Sequence, residues 1–178
     1  ITGFSFSVDK AQPGQTKVVY IGDEVGREGV DTCDSRAEAI VEGWQTIDSP
    51  TELRQFLGST NWVKDHAGPT YSSAVKILTR YLMKGAEWPM SDEAVKAKNA
   101  IKLMVKHHVL LNALDEVAVL NGSRPQHQIA DCSKTGWGGA IYQVSADFSR
   151  LNVVGQYSGC LNDAQALWHP LSQELMAH

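Results

Sequence analysis

Residues 129–143, IADCSKTGWGGAIYQ, decide how this sequence folds. Between Asp34 and about residue 106 apolar residues recur at three- and four-residue steps, whereas here the period falls to two. Gln128 to Cys132, Trp137 to Val144 and Leu151 to Ser158 therefore read as three strands. Lys134-Thr135-Gly136 and a turn over 145–150 join them into an antiparallel meander. Gly136, Gly138 and Gly139 resemble a phosphate loop only superficially, because they lead from a strand into a hairpin and not into a helix N-terminus. After the third strand a helix is expected to begin near Pro170.

Working back toward the start, VLLNALDEVAVLNGSRP over 109–125 carries the turn signals Asn121-Gly122 and Pro125 and reads as a transition. Before it come four expected helices. The first starts at Asp34, with Ser35 and Glu38 at capping-box spacing and Ala37, Ile40, Val41 and Trp44 along one face. The second is marked by Ser49-Pro50-Thr51-Glu52, with Gly58 as its stop. The third runs from a Thr70 cap to Gly85 and carries Ala74, Ile77, Leu78, Tyr81 and Leu82. The fourth covers Ser91 to about Lys106, acidic at its start and holding Lys102 and Lys106 at its end, as a helix dipole favours. Residues 4–31 read as a hairpin region: FSFSV, a turn at Gln12-Pro13-Gly14, the run TKVVYIGDEV, and a return through Val30 after Gly26 to Gly29. The expected fold class is α+β, with a helical subdomain centred on 34–106 and an α/β one beginning near 126.

At 178 residues the chain is long enough to bury about 70% of its unfolded surface without covalent staples. No stretch approaches the roughly 18 apolar residues of a membrane helix, and the first ten residues lack a basic region followed by an apolar core. The first residue is not Met, so the chain is expected to be a processed product or a piece of something longer. Cys33, Cys132 and Cys160 are odd in number and unrelated in spacing, which favours a reducing, intracellular compartment or leaves Cys132 and Cys160 as one pair. A net charge of −4 argues against an autonomous high-affinity nucleic-acid binder, which needs a clustered surplus of Lys and Arg.

Two carboxylates stand out. Asp131 lies in a strand flanked by Ile129 and Ala130, where an unpaired buried charge is expensive and calls for a partner. It reads either as a strand-end cap of the turn at Ser133 or as a metal ligand paired with Glu174 from the last helix. Hard divalent cations take carboxylate oxygens, and two-metal phosphoryl chemistry needs several of them converging. The five tryptophans read as core or helix-packing anchors. His107-His108 reads as a partner for a helix C-terminus, not a metal pair, because adjacent residues point apart.

The segment 129–143 also resembles the first strand and hairpin of the RNase H domain in polyproteins of gypsy-class LTR retroelements and their retroviral relatives, which reads T-D-A-S-x-x-G-x-G-A-V-L-x-Q. VVGQYSGCLNDAQALWHPLSQELMA, 153–177, is similar to the same domain's next block. Residues 18–62, VVYIGDEVGREGVDTCDSRAEAIVEGWQTIDSPTELRQFLGSTNW, resemble the upstream pattern that contains F-L-G-H, E-L-R-x-F-L-G and N-Y. Three blocks in family order span roughly residues 4–178. The resemblance implies the end of a polymerase palm at 1–33, thumb and connection at 34–125, and a partial RNase H-like domain at 126–178. Tyr20, Ile21, Gly22 and Asp23 would then position a primer strand, with Arg54 and Lys64 as phosphate contacts. Asp131 and Glu174 would be the first two catalytic carboxylates and would hold Mg2+, and the partner would be an RNA/DNA hybrid or a primer-template. Asp23 stands where the pattern has His, and Trp62-Val63 follows Asn61 where an aromatic pair is usual. The polymerase's paired aspartates and the remaining RNase H carboxylates have no counterpart within this sequence, so the isolated chain is expected to be inactive. The rival expectation is a retroelement-derived structural subunit that contacts other protein chains of a larger assembly.

Overall fold

In the computed structural model, which describes residues 11–68 and 70–177, the α+β expectation holds. The strand expected at 4–8 lies outside the described residues. β1 (Lys17–Tyr20), β2 (Asp23–Gly26) and β3 (Gly29–Thr32) form an antiparallel meander. The run TKVVYIGDEV is thus two strands, because Ile21 and Gly22 both take positive φ and turn the chain between them. A fourth short strand, β4 (Leu111–Asn112), comes from far along the chain to pair with β3. That approach needs Gly29: a Cβ there would lie 1.9 Å from the Leu111 carbonyl oxygen, and its φ is +147°.

α1 (Asp34–Gly43), α2 (Pro50–Asn61), α3 (Tyr71–Thr79) and α4 (Asp92–Lys106) enclose the main core. Leu53, Phe56, Val63, Leu78, Ala94, Ile101 and Val105 are completely buried in it. Trp44 packs edge-on against Phe56 with centroids 6.0 Å apart, and Trp88 does the same against Tyr81 at 5.8 Å. α2 starts as its sequence indicates: the Ser49 hydroxyl accepts from Glu52 N at 3.3 Å, while the Glu52 carboxylate accepts from Asp48 N at 2.7 Å.

Other local signals were overridden. α1 begins directly after Cys33, so Ser35 sits inside the first turn and caps nothing at the helix start. Gly58 does not stop α2, which continues to Asn61. Thr70 occupies the cap position of α3 without a side-chain capping bond, its hydroxyl lying 3.8 Å from Met104 Sδ. Lys102 serves a neighbouring helix: its ammonium donates to Trp44 O at 3.1 Å, and Lys98 donates to Gln45 O. α1 has no basic residue in its own last turn, so two cations from α4 satisfy its C-terminal carbonyls and complement its dipole. Lys98 is buried for this purpose, and burial pushes its pKa down.

The segment 109–125 is more ordered than its turn signals suggest. It contains α5 (Glu116–Leu120), capped by Asp115, whose side chain accepts from Ala118 N at 3.0 Å and pairs with Arg124. The buried Gln143 amide fixes this piece through Asp115 N, Asp115 O and Arg124 O. Beyond it β5 (Gln126–Cys132), β6 (Gly136–Val144) and β7 (Leu151–Cys160) form the expected meander, in that spatial order. α6 (Asp163–Ala166), which the sequence reading did not foresee, is closed by an Asn162–Gln165 capping box. α7 (Pro170–Ala177) follows.

This second sheet has a helix on each face. On one, α3 packs along β7: the Ser72 and Ser158 hydroxyls are 2.7 Å apart and Lys76 Nζ donates to Leu161 O at 2.8 Å. On the other, α7 lies over β5 and β6, and Tyr157 donates its hydroxyl to Ala177 O at 3.1 Å. Trp137 and Tyr157 lie flat on this side over Gly159 and Gly139. Cys132 and Cys160 cannot be the disulfide left open above. β6 separates their strands, two strand spacings of roughly 4.8 Å exceed the reach of a disulfide, and both thiols are free.

Two measurements check this description. Gly58 lies in the interior of α2 with nothing within 4 Å of where a Cβ would be. Gly58→Ala should therefore raise stability by about 1 kcal/mol in urea unfolding. At the β6–β7 turn, the Ser145 and Ser149 hydroxyls and the Ser149 N–H hold the Asp147 carboxyl at a pKa of about 2, below its ordinary 3.8. A carboxyl lowered on folding stabilises above its unfolded pKa and loses that contribution as pH falls through the folded one. The stability difference between wild type and Asp147→Asn should be constant above about pH 5 and fall progressively to a lower constant value by about pH 1.

Candidate functional site

The hairpin tip projects from the first sheet. Tyr20 and Asp23 close a two-residue turn whose central residues, Ile21 and Gly22, have φ of +52° and +92°. That is the primed turn geometry that suits a twisted hairpin, usually built from Asn-Gly. Ile21 is β-branched and strained at this position, a condition that costs about 1–3 kcal/mol and is held by surrounding structure. Its side chain is 61% exposed and Tyr20 is 65% exposed, with Val19 beside them. The tip thus presents apolar side chains to solvent on a strained turn.

Residues the sequence reading did not single out for this role hold the tip. Arg36 from α1 donates through Nη1 to Ile21 O at 3.3 Å, and its guanidinium lies 4.7 Å from the centre of the Trp62 ring. Trp62, just past the end of α2, donates its indole N–H to the Asp23 carboxylate at 3.1 Å. Trp62 is 42% exposed, so it is no core anchor. Of the other sequence-derived residues, Arg54 lies on the exposed stripe of α2 with Gly58 and Asn61, one and two turns on, and Lys64 is exposed in the 3₁₀ turn Lys64–His66. The tip therefore adjoins α1 and the end of α2 by direct bonds, while Arg54 and Lys64 are exposed on α2 and the turn that follows it.

The carboxylate pair is arranged differently from the expectation of a buried, partnered charge. Asp131 is exposed, and one of its oxygens accepts from the Cys132 N–H at 2.9 Å. It lines an open cleft of about 370 Å³ between α3 and the second sheet, together with Thr70, Ser73, Ser133, Tyr142 and Gln156. Cys132, its neighbour in the strand, points to the opposite face by the period-two alternation, which is the face α7 covers. Glu174 is carried on α7, half-buried. Burial first, then the charges of Glu174 and Asp131, push the Cys132 thiol up. Both carboxylates thus act electrostatically on Cys132. Among the described residues no group of three or more His, Cys, Asp or Glu side chains could hold a metal ion. The residues present do not fit a two-metal centre by themselves, and no catalytic step is assigned to one.

His108 closes the end of α4, with Nδ1 3.0 Å from Val105 O and Nε2 3.2 Å from Asp31. No helix among the described residues is long and apolar enough to cross a membrane.

No protein-family model matches the chain. It is 25% identical over 168 residues to the Transposon Tf2-3 and Tf2-4 polyproteins of Schizosaccharomyces pombe (strain 972 / ATCC 24843), covering 94% of this chain. The chain spans 12% of the length of these curated relatives. Its fold matches the foamy viral protease-reverse transcriptase in complex with RNA/DNA hybrid, with a TM-score of 0.75 and 16% identity over 96% of this chain and 22% of the other. A foamy viral protease-reverse transcriptase dRH in complex with double-stranded DNA matches with a TM-score of 0.71, over 92% of this chain and 27% of the other. The chain is thus similar in sequence to retrotransposon polyproteins. It shares its fold with a segment of a viral reverse transcriptase.

The strained turn gives a direct test. Ile21→Asn places the preferred Asn-Gly pair at the tip and should stabilise the protein by about 1 kcal/mol, raising the melting midpoint by roughly 2–4 °C. An unchanged or lowered midpoint in calorimetry would remove the case for strain at Ile21.

Proposed function

We propose that this chain is a thumb, connection and partial RNase H-like segment of a gypsy-class retroelement reverse transcriptase, and that its partner is an RNA/DNA hybrid or primer-template. The supporting observation is the extent of the agreement: nearly the whole chain aligns with retrotransposon polyproteins, and nearly the whole chain superposes on a reverse transcriptase whose structure contains a hybrid. In this reading the divisions fall at 1–33, 34–125 and 126–178. Tyr20, Ile21, Gly22 and Asp23 form the tip that positions a primer strand. Arg54 and Lys64 contact phosphates, for which their exposure on α2 and the following turn suits them. Asp131 and Glu174 stand where the family has its first two catalytic carboxylates, and Mg2+ is the ion such carboxylates hold once the set is complete.

The chain alone binds weakly and does not cleave. With a net charge of −4 it has little surplus of cations to release condensed counterions. In fluorescence anisotropy a labelled RNA/DNA hybrid should bind at low salt and be lost as salt rises. Arg54→Ala and Lys64→Ala should each weaken binding for all sequences alike and reduce the log–log salt slope by about 1. Absence of binding at low salt would sink the proposal. With Mg2+ present, hybrid cleavage should not exceed that of an Asp131→Asn control; cleavage well above it would mean that these two carboxylates suffice. The rival reading, a structural subunit of a larger assembly, draws on the exposed Leu167 and Trp168 after α6 and the exposed Leu171 and Leu175 of α7. Sedimentation of the full chain as a lone monomer at high concentration would count against self-association through that face.

A further inference from the structure

Asp23 and Trp62 depart from the retroelement pattern at two places far apart in sequence, and in the structure they are the two ends of one hydrogen bond, 3.1 Å long. The pattern's His gives way to a carboxylate at the position where an indole N–H, a donor with no acceptor capacity, replaces the pattern's Tyr. The second element is Arg36. Its guanidinium covers the Trp62 ring, bonds the carbonyl of the strained Ile21, and fills the space over Gly22, where a Cβ would lie 2.0 Å from Nη1. Two side chains from two other segments therefore grip the turn, Arg36 at both central residues and Trp62 at the residue after it. β1 pairs only with β2 among the described residues, so the turn between them gains its fixed orientation relative to the helices from these contacts.

We infer that Asp23, Arg36 and Trp62 form a latch that positions the 20–23 turn against α1 and the end of α2, so that the exposed tip and the exposed Arg54 and Lys64 meet nucleic acid as one rigid unit. Its role in binding rests on the reading proposed above, whereas the mechanical coupling does not. Asp23 then acts toward the protein: its charge is directed to Trp62 and is not offered to a phosphate. These are positioning residues, acting through Tyr20 and Ile21.

The test is a double-mutant cycle on the full chain with two readouts. The first is amide hydrogen exchange, which needs no nucleic acid. Trp62→Phe and Asp23→Ala should each speed exchange across Tyr20 to Gly26 by about 10-fold, the size expected for losing a charge-assisted bond, with little further change in the double variant. Arg36→Lys, which keeps the charge but loses the planar fork, should have the same effect. The midpoint of global unfolding should stay the same, because all three side chains lie at least partly in solvent. The second readout is hybrid affinity: each single variant should raise Kd by about 5–10-fold, the double no more than either, and Arg54→Ala should add independently. Additive effects of Asp23→Ala and Trp62→Phe, or unchanged exchange at the tip, would overturn the latch. If wild type fails to bind hybrid while the exchange cycle still shows coupling, the latch stands as a mechanical device and the nucleic-acid reading falls.

Discussion

Helix α3 is used from two sides, and the rest of the molecule is arranged around it. Tyr71, Ala74 and Leu78 face the helical core, where the Tyr71 hydroxyl donates to Thr60 at 3.0 Å. Ser72, Lys76 and the carbonyl of Ser72 face the second sheet, bonding Ser158, Leu161 O and the Cys160 thiol. A helix that serves two cores cannot slide toward one without loosening the other. The position of β7, and through it of β5 and Asp131, is thereby tied to the helical region. The first sheet is tied in by a separate route, as β4 pairs with β3 while Asn112 Nδ2 donates to Val153 O beside the bulge in β7.

Charge in this protein is used mostly for internal bracing. Lys98 and Lys102 close the end of α1, Arg124 secures α5, Arg36 and Asp23 hold the hairpin tip, and His108 meets Asp31. Arg54 and Lys64 stay exposed on α2 and the turn after it, while the carboxylate of the tip is engaged by Trp62. The modest affinity proposed follows from the overall balance of 20 acidic against 16 basic residues. The strained Ile21 fits the same economy of the site, an unfavourable backbone retained where an apolar residue is presented to solvent.

A linear motif gives the order of Asp131 and Glu174 along the chain but not the surroundings of each. Asp131 and Glu174 sit in blocks that match a retroelement pattern, but Asp131 lines the cleft between α3 and the second sheet, while Glu174 is carried on α7. An acid expected to be buried and paired is exposed, with a backbone N–H as its contact.

The sequence by itself determined the elements whose signals are local and mutually consistent. Ser49-Pro50-Thr51-Glu52 started α2, Ser91 started α4, and the period-two run after 126 produced three strands, because capping and alternation involve residues within a few positions of one another. Tertiary structure alone decided what depends on partners distant along the chain. Gly58 remained helical because neighbouring turns of α2 are anchored by Leu53, Phe56 and Thr60 in the core. Lys102 served α1 because α4 packs beside it, and Gln143 ordered α5. The Asp23–Trp62 bond spans 39 positions. No local pattern encodes it, since a hydrogen bond between segments exists only once their shared core has fixed the distance between donor and acceptor.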